Sequence, residues 1–318
     1  MITVMVMYMK PRRSPVRSIV SLVVLTALSG VTVLTASGGA GAATDPAIVV
    51  PVVAAENFCG NITNQLGGRA VSVTSLISNP NADPHLFETD AADAAKLASA
   101  KVVIENGASY DTWMRSLLSA DSGHPTIVTA ANVLHITGSD PNPHLWYDIP
   151  AVPKVAAAIS AALIKADPKD ATTFRANLVR FDASLQPLQA TLATIRSRFS
   201  NAPVAYTERV PGYALAVAHL AVKTPPGFAR AVEDGTDPGP ADTLAMQQLL
   251  TGRKIDVLLY NVQTVTPVTS SIRSLARTTD IPVVGVSETM PSNATTYQQW
   301  QESQLRALLG ALEKSAAK

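Results

Sequence analysis

The sequence contains a single cysteine, Cys59, among 318 residues. One thiol cannot form an internal disulfide, and a zinc cluster built from several cysteines is excluded as well. Charge is also scarce: charged residues make up 15% of the chain, and the formal net charge at pH 7 is +1. Such a composition offers no basic surface of the kind that binds nucleic acid, so we expect no nucleic-acid partner.

Apolar residues, in contrast, are plentiful. They make up 47% of the chain, and a length of 318 residues corresponds to one large domain or two ordinary ones. This apolar content is sufficient for two separate hydrophobic cores.

The first 43 residues have the composition of an export signal. Basic residues between positions 10 and 17 precede an apolar run over 19–34, and small residues suited to cleavage follow over 37–43. We predict a signal peptide over 1–43 and an exported protein, located in a periplasm, at the cell surface or outside the cell. An uncleaved membrane anchor is the alternative, because the apolar run approaches the length of a membrane span. Val31 stands where a lipoprotein signal would need its cysteine, so there is no lipobox cysteine.

One long helical pattern lies near the middle of the chain, between Ala171 and Phe199. Its apolar residues recur at steps of four and three and therefore share one face of a helix. These residues are Phe174, Leu178, Phe181, Leu185, Leu188, Leu192, Ile195 and Phe199. Pro187 is expected to kink or break the helix, because proline lacks the backbone donor. The same spacing fits the seam of a coiled-coil dimer, but we favour a helix that joins two lobes of a monomer.

Patterns of buried strands alternate with helical patterns on both sides of this helix. Strands are predicted over 48–55, 71–77, 101–105 and 126–129 before it, and over 204–207, 255–260 and 282–286 after it. Such alternation implies right-handed crossovers and mostly parallel sheets. The predicted fold class is therefore α/β: two lobes, each a mostly parallel sheet flanked by helices, joined by one long interlobe helix.

The same pattern predicts the boundaries within the chain. The N-terminal lobe is assigned to 44–169, the interlobe helix to 170–200 and the C-terminal lobe to 201–318. A stretch over 223–240 is rich in glycine, proline and aspartate and is predicted to be a loop.

Four residues that can bind metal ions follow predicted strands. His85 and His144 lie in loops of the first lobe, and Glu208 and Glu288 follow strands of the second. Because ligands of open α/β sheets bind beyond the carboxyl ends of the strands, these side chains can meet in the cleft. Two imidazoles and two carboxylates suit zinc, manganese or iron(II). The alternative is that the histidines are solvated or capping residues and that the glutamates are simply exposed.

Two histidine motifs and the long helix carry a family resemblance. Asp83-Pro84-His85 follows the strand over 71–77, and Pro143-His144-Leu145-Trp146-Tyr147-Asp148 comes later in the same lobe. In this order and at this separation, they resemble the ligand loops of the cluster A-I substrate-binding proteins, the metal-binding proteins of bacterial ABC importers for zinc and manganese. The resemblance covers nearly all of the chain after the signal. It implies a membrane permease and its ATPase as partners.

The resemblance also extends to the second lobe. Glu208, within Tyr206-Thr207-Glu208, matches the third ligand position, which is histidine in many zinc-binding members and glutamate in many manganese-binding members. Glu288 stands where the family usually has aspartate, and its side chain is one methylene longer. The resemblance thus implies a transported divalent ion, Zn²⁺ or Mn²⁺ with Fe²⁺ as a further option, held by His85, His144, Glu208 and Glu288.

Two other functional classes are weighed against a metal receptor. An exported metallohydrolase would need an open coordination position and a base, a role that Glu208 or Glu288 could fill. A helical HExxH motif and a nucleophile elbow are both missing from the sequence. A surface adhesin is supported by nothing beyond export. We therefore expect a binding protein that is not an enzyme, with no catalytic residues.

Overall fold

The computed structural model describes residues 49–82, 84–121 and 123–318. The predicted signal peptide over 1–43 and the motif residue Asp83 lie outside the described residues. In the described part of the chain, no helix is both long enough and apolar enough to cross a membrane.

The described residues form two four-stranded sheets in which every pairing is parallel. The strands are β1 (Val50–Glu56), β2 (Val71–Ile77), β3 (Val102–Glu105), β4 (Thr126–Thr129), β5 (Pro203–Tyr206), β6 (Ala221–Val222), β7 (Val257–Asn261) and β8 (Val283–Val286). Their spatial orders are β2-β1-β3-β4 and β6-β5-β7-β8. We call the first sheet with its helices the first lobe, and the second sheet with its helices the second lobe.

Helices flank both sheets. They are α1 (Asn57–Gly67), α2 (Ala91–Ala98), α3 (Thr112–Ala120), α4 (Ala130–Val133), α5 (Val152–Ala166), α6 (Ala171–Ser184), α7 (Gln186–Phe199), α8 (Gly212–Val217), α9 (Pro226–Glu233), α10 (Pro240–Thr251), α11 (Pro267–Thr278) and α12 (Tyr297–Ala316). This arrangement confirms the predicted fold class. The exact lobe boundaries at 44–169, 170–200 and 201–318 stay a prediction.

The central strands β1 and β7 are apolar except for the last residue of each, Glu56 and Asn261. In β1, Val52 pairs with Val73 on one side and with Val102 on the other, and it is buried. The β7 strand is buried at every position. Continuous apolar runs of this kind are typical of parallel sheets covered on both faces.

In both sheets, the next two strands of the chain lie on opposite sides of the first strand. The chain passes from β1 outward to β2 and then crosses back to β3 on the other side, and β5, β6 and β7 repeat this order. Crevices at the carboxyl ends of such strand pairs are where open α/β sheets bind ligands. A ligand site is therefore expected in the loops that follow these strands.

The predicted interlobe helix consists of two consecutive helices, α6 and α7, separated only by Leu185. Pro187 lies in the first turn of α7 and has no N–H to donate to the carbonyl of Ala183, which explains the break. The α6 helix packs on α1 and α5 of the first lobe, whereas α7 packs on α12 and α8 of the second. All eight residues of the apolar stripe belong to, or pack against, one hydrophobic core. Since the chain itself covers the stripe, no face remains for a coiled-coil partner.

The predicted loop over 223–240 is partly wrong. It contains the α9 helix, whose apolar residues Phe228, Ala229 and Val232 are buried. Pro226 is tolerated there because it occupies the first turn, where the missing N–H would have no helical partner. The surrounding glycines and prolines mark the ends of this short helix.

Candidate metal centre

The four predicted ligand residues lie together in the structure. His85, His144, Glu208 and Glu288 each offer one donor atom, and these four atoms lie within 4.8 Å of one another. His85 belongs to a short turn after β2, and His144 precedes a similar turn after β4. The glutamates follow β5 and β8 by two residues. The two glutamates thus lie just beyond the carboxyl ends of strands in the second lobe, whereas the two histidines lie in longer loops of the first lobe.

Three of the separations between donor atoms are close to those around a small cation. His85 Nε2 lies 3.4 Å from Glu208 Oε1 and 3.2 Å from Glu288 Oε2, and His144 Nε2 lies 3.5 Å from Glu288 Oε2. Tetrahedral zinc with bonds of about 2.0–2.1 Å would place its ligand atoms about 3.3 Å apart. His144, Glu208 and Glu288 are at most 1% exposed. The cluster is therefore a buried set of two nitrogens and two oxygens that suits a divalent ion.

A buried donor atom without a partner points the same way. Among the described residues, the buried Nε2 atom of His144 has no hydrogen-bond partner. Leaving such atoms unpaired costs free energy. A cation between the four side chains would remove that cost.

Asn142 orients the imidazole of His144. Its Oδ1 lies 2.7 Å from His144 Nδ1, while its Nδ2 donates to the carbonyl of Arg209 at 2.9 Å. Because the Arg209 carbonyl can only accept, the amide oxygen must be the atom that faces His144, and Nδ1 carries the proton. The Nε2 lone pair of His144 then faces the other three donors.

Two further residues hold the carboxylates. The Tyr110 hydroxyl donates to Glu288 Oε2 at 2.9 Å, and the side chain of Asn261 donates to both Glu208 and Glu288. Sequence analysis missed Tyr110, Asn142 and Asn261. The only signal for Asn261 is its position as a polar residue at the end of an otherwise apolar strand.

The two carboxylates of the cluster favour the protonated form of His85. Burial lowers the pKa of His85, but hydrogen bonds to Glu208 and Glu288 outweigh burial and raise the pKa to about 11. Burial and then the charge of Glu288 raise the pKa of Glu208. Burial alone would raise the pKa of Glu288, but the neighbouring imidazoles of His144 and His85 lower it. The two histidines therefore favour the ionised form of Glu288.

Ion pairs lie beside His85 in a small cavity. Arg209, next to Glu208 in sequence, forms ion pairs with Glu233 at 2.6 Å and with Asp140 of the first lobe at 3.0 Å. Arg230 also pairs with Asp140. These residues and His85 line a cavity of about 100 Å³. Charged groups from both lobes therefore meet in this cavity.

The other three histidines, His124, His135 and His219, lie outside the cluster. All are exposed and adopt positive φ angles of 47°, 54° and 55°, respectively. Such angles are typical of turn residues.

Two parallel-sheet lobes with a buried donor cluster between them define a two-lobed ligand-binding protein. The family model described as zinc-uptake complex component A, periplasmic, matches residues 52–311, and the chain belongs to this family. It is a family of solute-binding proteins.

Individual relatives match parts of the chain. The chain is 30% identical over 144 residues to the manganese-binding lipoprotein MntA of Bacillus subtilis, covering 43% of this chain and 47% of that protein. It is 27% identical over 158 residues to a putative metal-binding protein of Treponema pallidum, covering 44% of this chain and 50% of that protein. The chain thus spans about half the length of the curated relatives it matches.

Solved structures share the fold. The periplasmic zinc-binding protein TroA from Treponema pallidum superposes with a TM-score of 0.72 at 18% identity, covering 83% of this chain and 99% of that chain. FpvC from Pseudomonas aeruginosa, solved in complex with Mn²⁺, gives a TM-score of 0.70 at 18% identity, covering 84% of this chain and 99% of that chain.

Proposed function

We propose that the protein is the exported substrate-binding component of an ABC importer and that it captures one divalent metal ion between its lobes. The observation that carries this proposal is the group of four donor atoms from His85, His144, Glu208 and Glu288 within 4.8 Å of one another. Two of these residues come from each lobe, so an ion bound there contacts both. Release then depends on a membrane permease and its ATPase separating these contacts.

The transported ion is Zn²⁺ or Mn²⁺, with Fe²⁺ as the third candidate. The donor set contains no sulfur, which favours borderline or hard cations. Relatives are named as binding manganese, as in Bacillus subtilis, or iron, as in the YfeA protein of Yersinia pestis. Binding by neutral imidazole and ionised carboxylate is shared by all three ions.

The geometry supports binding rather than catalysis. A metallohydrolase would need Glu208 or Glu288 as a base beside an open coordination position. Both carboxylates instead turn into the cluster and are almost completely buried. We propose that the protein is not an enzyme, and an assay for hydrolysis by the metal-loaded protein tests this directly.

We further propose that the mature protein is a monomer in a periplasm or at the cell surface, without a lipid anchor. Relatives in Bacillus subtilis and Streptococcus gordonii are named lipoproteins. This sequence has valine at position 31 in place of the cysteine that would carry the lipid. Mass measurement of the exported protein tests both the cleavage and the absence of lipid.

Calorimetric titration of the metal-free protein with Zn²⁺, and separately with Mn²⁺, tests the proposed function. We expect one ion per chain, and a loss of at least about tenfold in affinity for His85→Ala and for His144→Ala. His135→Ala is the matched control, because this exposed histidine lies outside the cluster. Failure to bind either ion, or unchanged affinity in both cluster variants, would refute the proposal.

A further inference from the structure

Strand order places Asn261 between the two carboxylates of the cluster. In the second sheet, β7 lies between β5 and β8. Asn261 is the last residue of β7, whereas Glu208 and Glu288 follow its two neighbours. Because the strands are parallel, their carboxyl ends lie side by side. The side chain of Asn261 is 1% exposed and reaches both glutamates.

The orientation of the Asn261 amide follows from a backbone donor. The N–H of Gln263 donates to Asn261 Oδ1 at 3.1 Å, so the oxygen faces the backbone and the NH₂ group faces the carboxylates. Asn261 Nδ2 lies 2.5 Å from Glu208 Oε2 and 2.8 Å from Glu288 Oε1. It is also 3.0 Å from the hydroxyl of Thr264. Because the amide of Asn261 is neutral, it holds both carboxylates without neutralising them. Their negative charge is therefore available to attract a cation.

These hydrogen bonds leave each carboxylate one oxygen for the cluster. Glu208 presents Oε1 and Glu288 presents Oε2, the same atoms that lie 3.2–3.5 Å from the imidazoles. The opposite oxygens are held by Asn261. Each hydrogen bond from Asn261 occupies one lone pair of the oxygen that it holds and so favours binding of an ion through the opposite oxygen, which in Glu288 also accepts from Tyr110. One oxygen from each glutamate and one nitrogen each from His85 and His144 give the site four donor atoms.

We propose that Asn261 is a positioning residue that limits the site to four donor atoms and thereby favours zinc-like ions over manganese. Zn²⁺ accepts four tetrahedral ligands. Mn²⁺ favours sites with more oxygen ligands, which these glutamates could supply only by binding through both oxygens. This inference rests on the proposed function of the site.

Asn261→Leu tests the inference, because leucine has a similar shape but no donor. The control is Asn177→Leu in α6, which removes another buried amide, one that donates to the carbonyl of Leu66 at 2.7 Å. Both variants and the unmodified protein are titrated with Zn²⁺ and Mn²⁺ in competition with a chelator. Each is also loaded with Co²⁺, whose visible absorption is intense when it has four ligands and weak when it has six.

We expect Asn261→Leu to lower the ratio of zinc affinity to manganese affinity by about tenfold or more and to weaken the cobalt absorption. Asn177→Leu should leave both unchanged. If Asn261→Leu does not fold, Asn261→Ser replaces it, because serine keeps one donor and should give a smaller shift in the same direction. The inference would be overturned if a folded Asn261 variant kept the zinc-to-manganese affinity ratio and the cobalt absorption of the unmodified protein.

The cobalt spectrum of the unmodified protein is an independent check. Weak absorption typical of six ligands would overturn the inference even if no Asn261 variant folds, whereas intense absorption supports it. Failure of the proposed function is distinguishable, because the unmodified protein would then bind none of the three ions. Binding with an unaltered selectivity in Asn261→Leu would refute only the role of Asn261.

Discussion

Asn142 links the imidazole of His144 to the second lobe. Its amide accepts from His144 Nδ1 and donates to the carbonyl of Arg209, and its own carbonyl accepts from the Tyr213 hydroxyl at 2.9 Å. The residue therefore fixes both the proton position on His144 and the approach of the second lobe. Residues that orient metal ligands in this way commonly affect affinity without touching the ion.

We predict that Asn142→Ala lowers metal affinity by about 10- to 100-fold, because His144 loses its fixed tautomer and orientation. Competition with a chromophoric chelator measures the change. Asn132→Ala is the control, since Asn132 is exposed and lies outside the cluster. Equal affinities in both variants would contradict the role given to Asn142.

The raised pKa of His85 predicts how metal affinity depends on pH. The pKa of about 11 keeps His85 protonated at neutral pH in the metal-free protein, and an ion must displace that proton. Affinity should therefore rise by about tenfold per pH unit between about pH 6 and pH 8. Titrations in buffers with different enthalpies of protonation report the released proton. Affinity that does not change with pH would contradict this assignment.

Stability of the metal-free protein should show the opposite trend. A protonated His85 between two carboxylates stabilises the fold fully below the ordinary histidine pKa of about 6.5. That contribution is lost as the pH rises toward the folded pKa of about 11. Ion and proton thus compete for the same pair of carboxylates.

The four ligand candidates could be predicted because each follows a predicted strand and matches a family motif. These candidates are His85, His144, Glu208 and Glu288. Residues such as Asn142 and Asn261 could not be, because a short polar side chain after a strand is usually a turn or cap residue. Only the three-dimensional structure shows that Asn142 contacts His144 and that Asn261 contacts the two glutamates.

At the level of elements, the α6 and α7 helices connect the lobes through one continuous apolar stripe. Buried residues such as Phe174 and Phe181 pack in the first half, and Leu192 and Ile195 pack in the second. The backbone ladder resumes after the break, with Gln189 donating to the carbonyl of Leu185 at 3.1 Å.

We predict that Pro187→Ala raises the free energy of unfolding by up to about 3 kcal/mol, because residue 187 regains a donor and the ring no longer opposes the carbonyl of Ala183. Urea denaturation measures the change. Pro267→Ala is the control, since this proline begins α11 where no helical bond is missing. A less stable Pro187→Ala protein would show that the break itself is needed for packing.

Most elements were predictable, because apolar periodicity determines which segments become buried strands or helices. The strands over 71–77 and 126–129 match their predicted bounds. The two-residue β6 strand and the α9 helix were missed. Each is too short for a periodic pattern, and the prolines and glycines around α9 favoured a loop.

For the molecule as a whole, hydrogen bonds between the lobes limit their relative motion. Gln263 of the second lobe donates to the carbonyls of Pro80 and Ala82, both at 3.0 Å, next to the loop that carries His85. Asn57 and Met290 exchange two further bonds, of 3.0 and 2.9 Å. With the α6 and α7 helices, these contacts favour a small rocking motion over wide hinge closure.

We therefore predict that the radius of gyration changes by less than about 1 Å when the metal-free protein takes up an ion, against an expected radius of gyration of about 20 Å for a compact chain of this length. Small-angle X-ray scattering with and without Zn²⁺ measures it. A decrease of several ångströms would indicate hinge closure and contradict the restraint proposed for the interlobe contacts.

The most direct measurement is anomalous diffraction at the zinc absorption edge from crystals of the zinc-loaded protein. We predict one strong anomalous peak in the cleft, about 2.0–2.2 Å from one donor atom each of His85, His144, Glu208 and Glu288. Absence of a peak at that position, or a peak bound only by residues elsewhere, would show that the four side chains do not form the metal site.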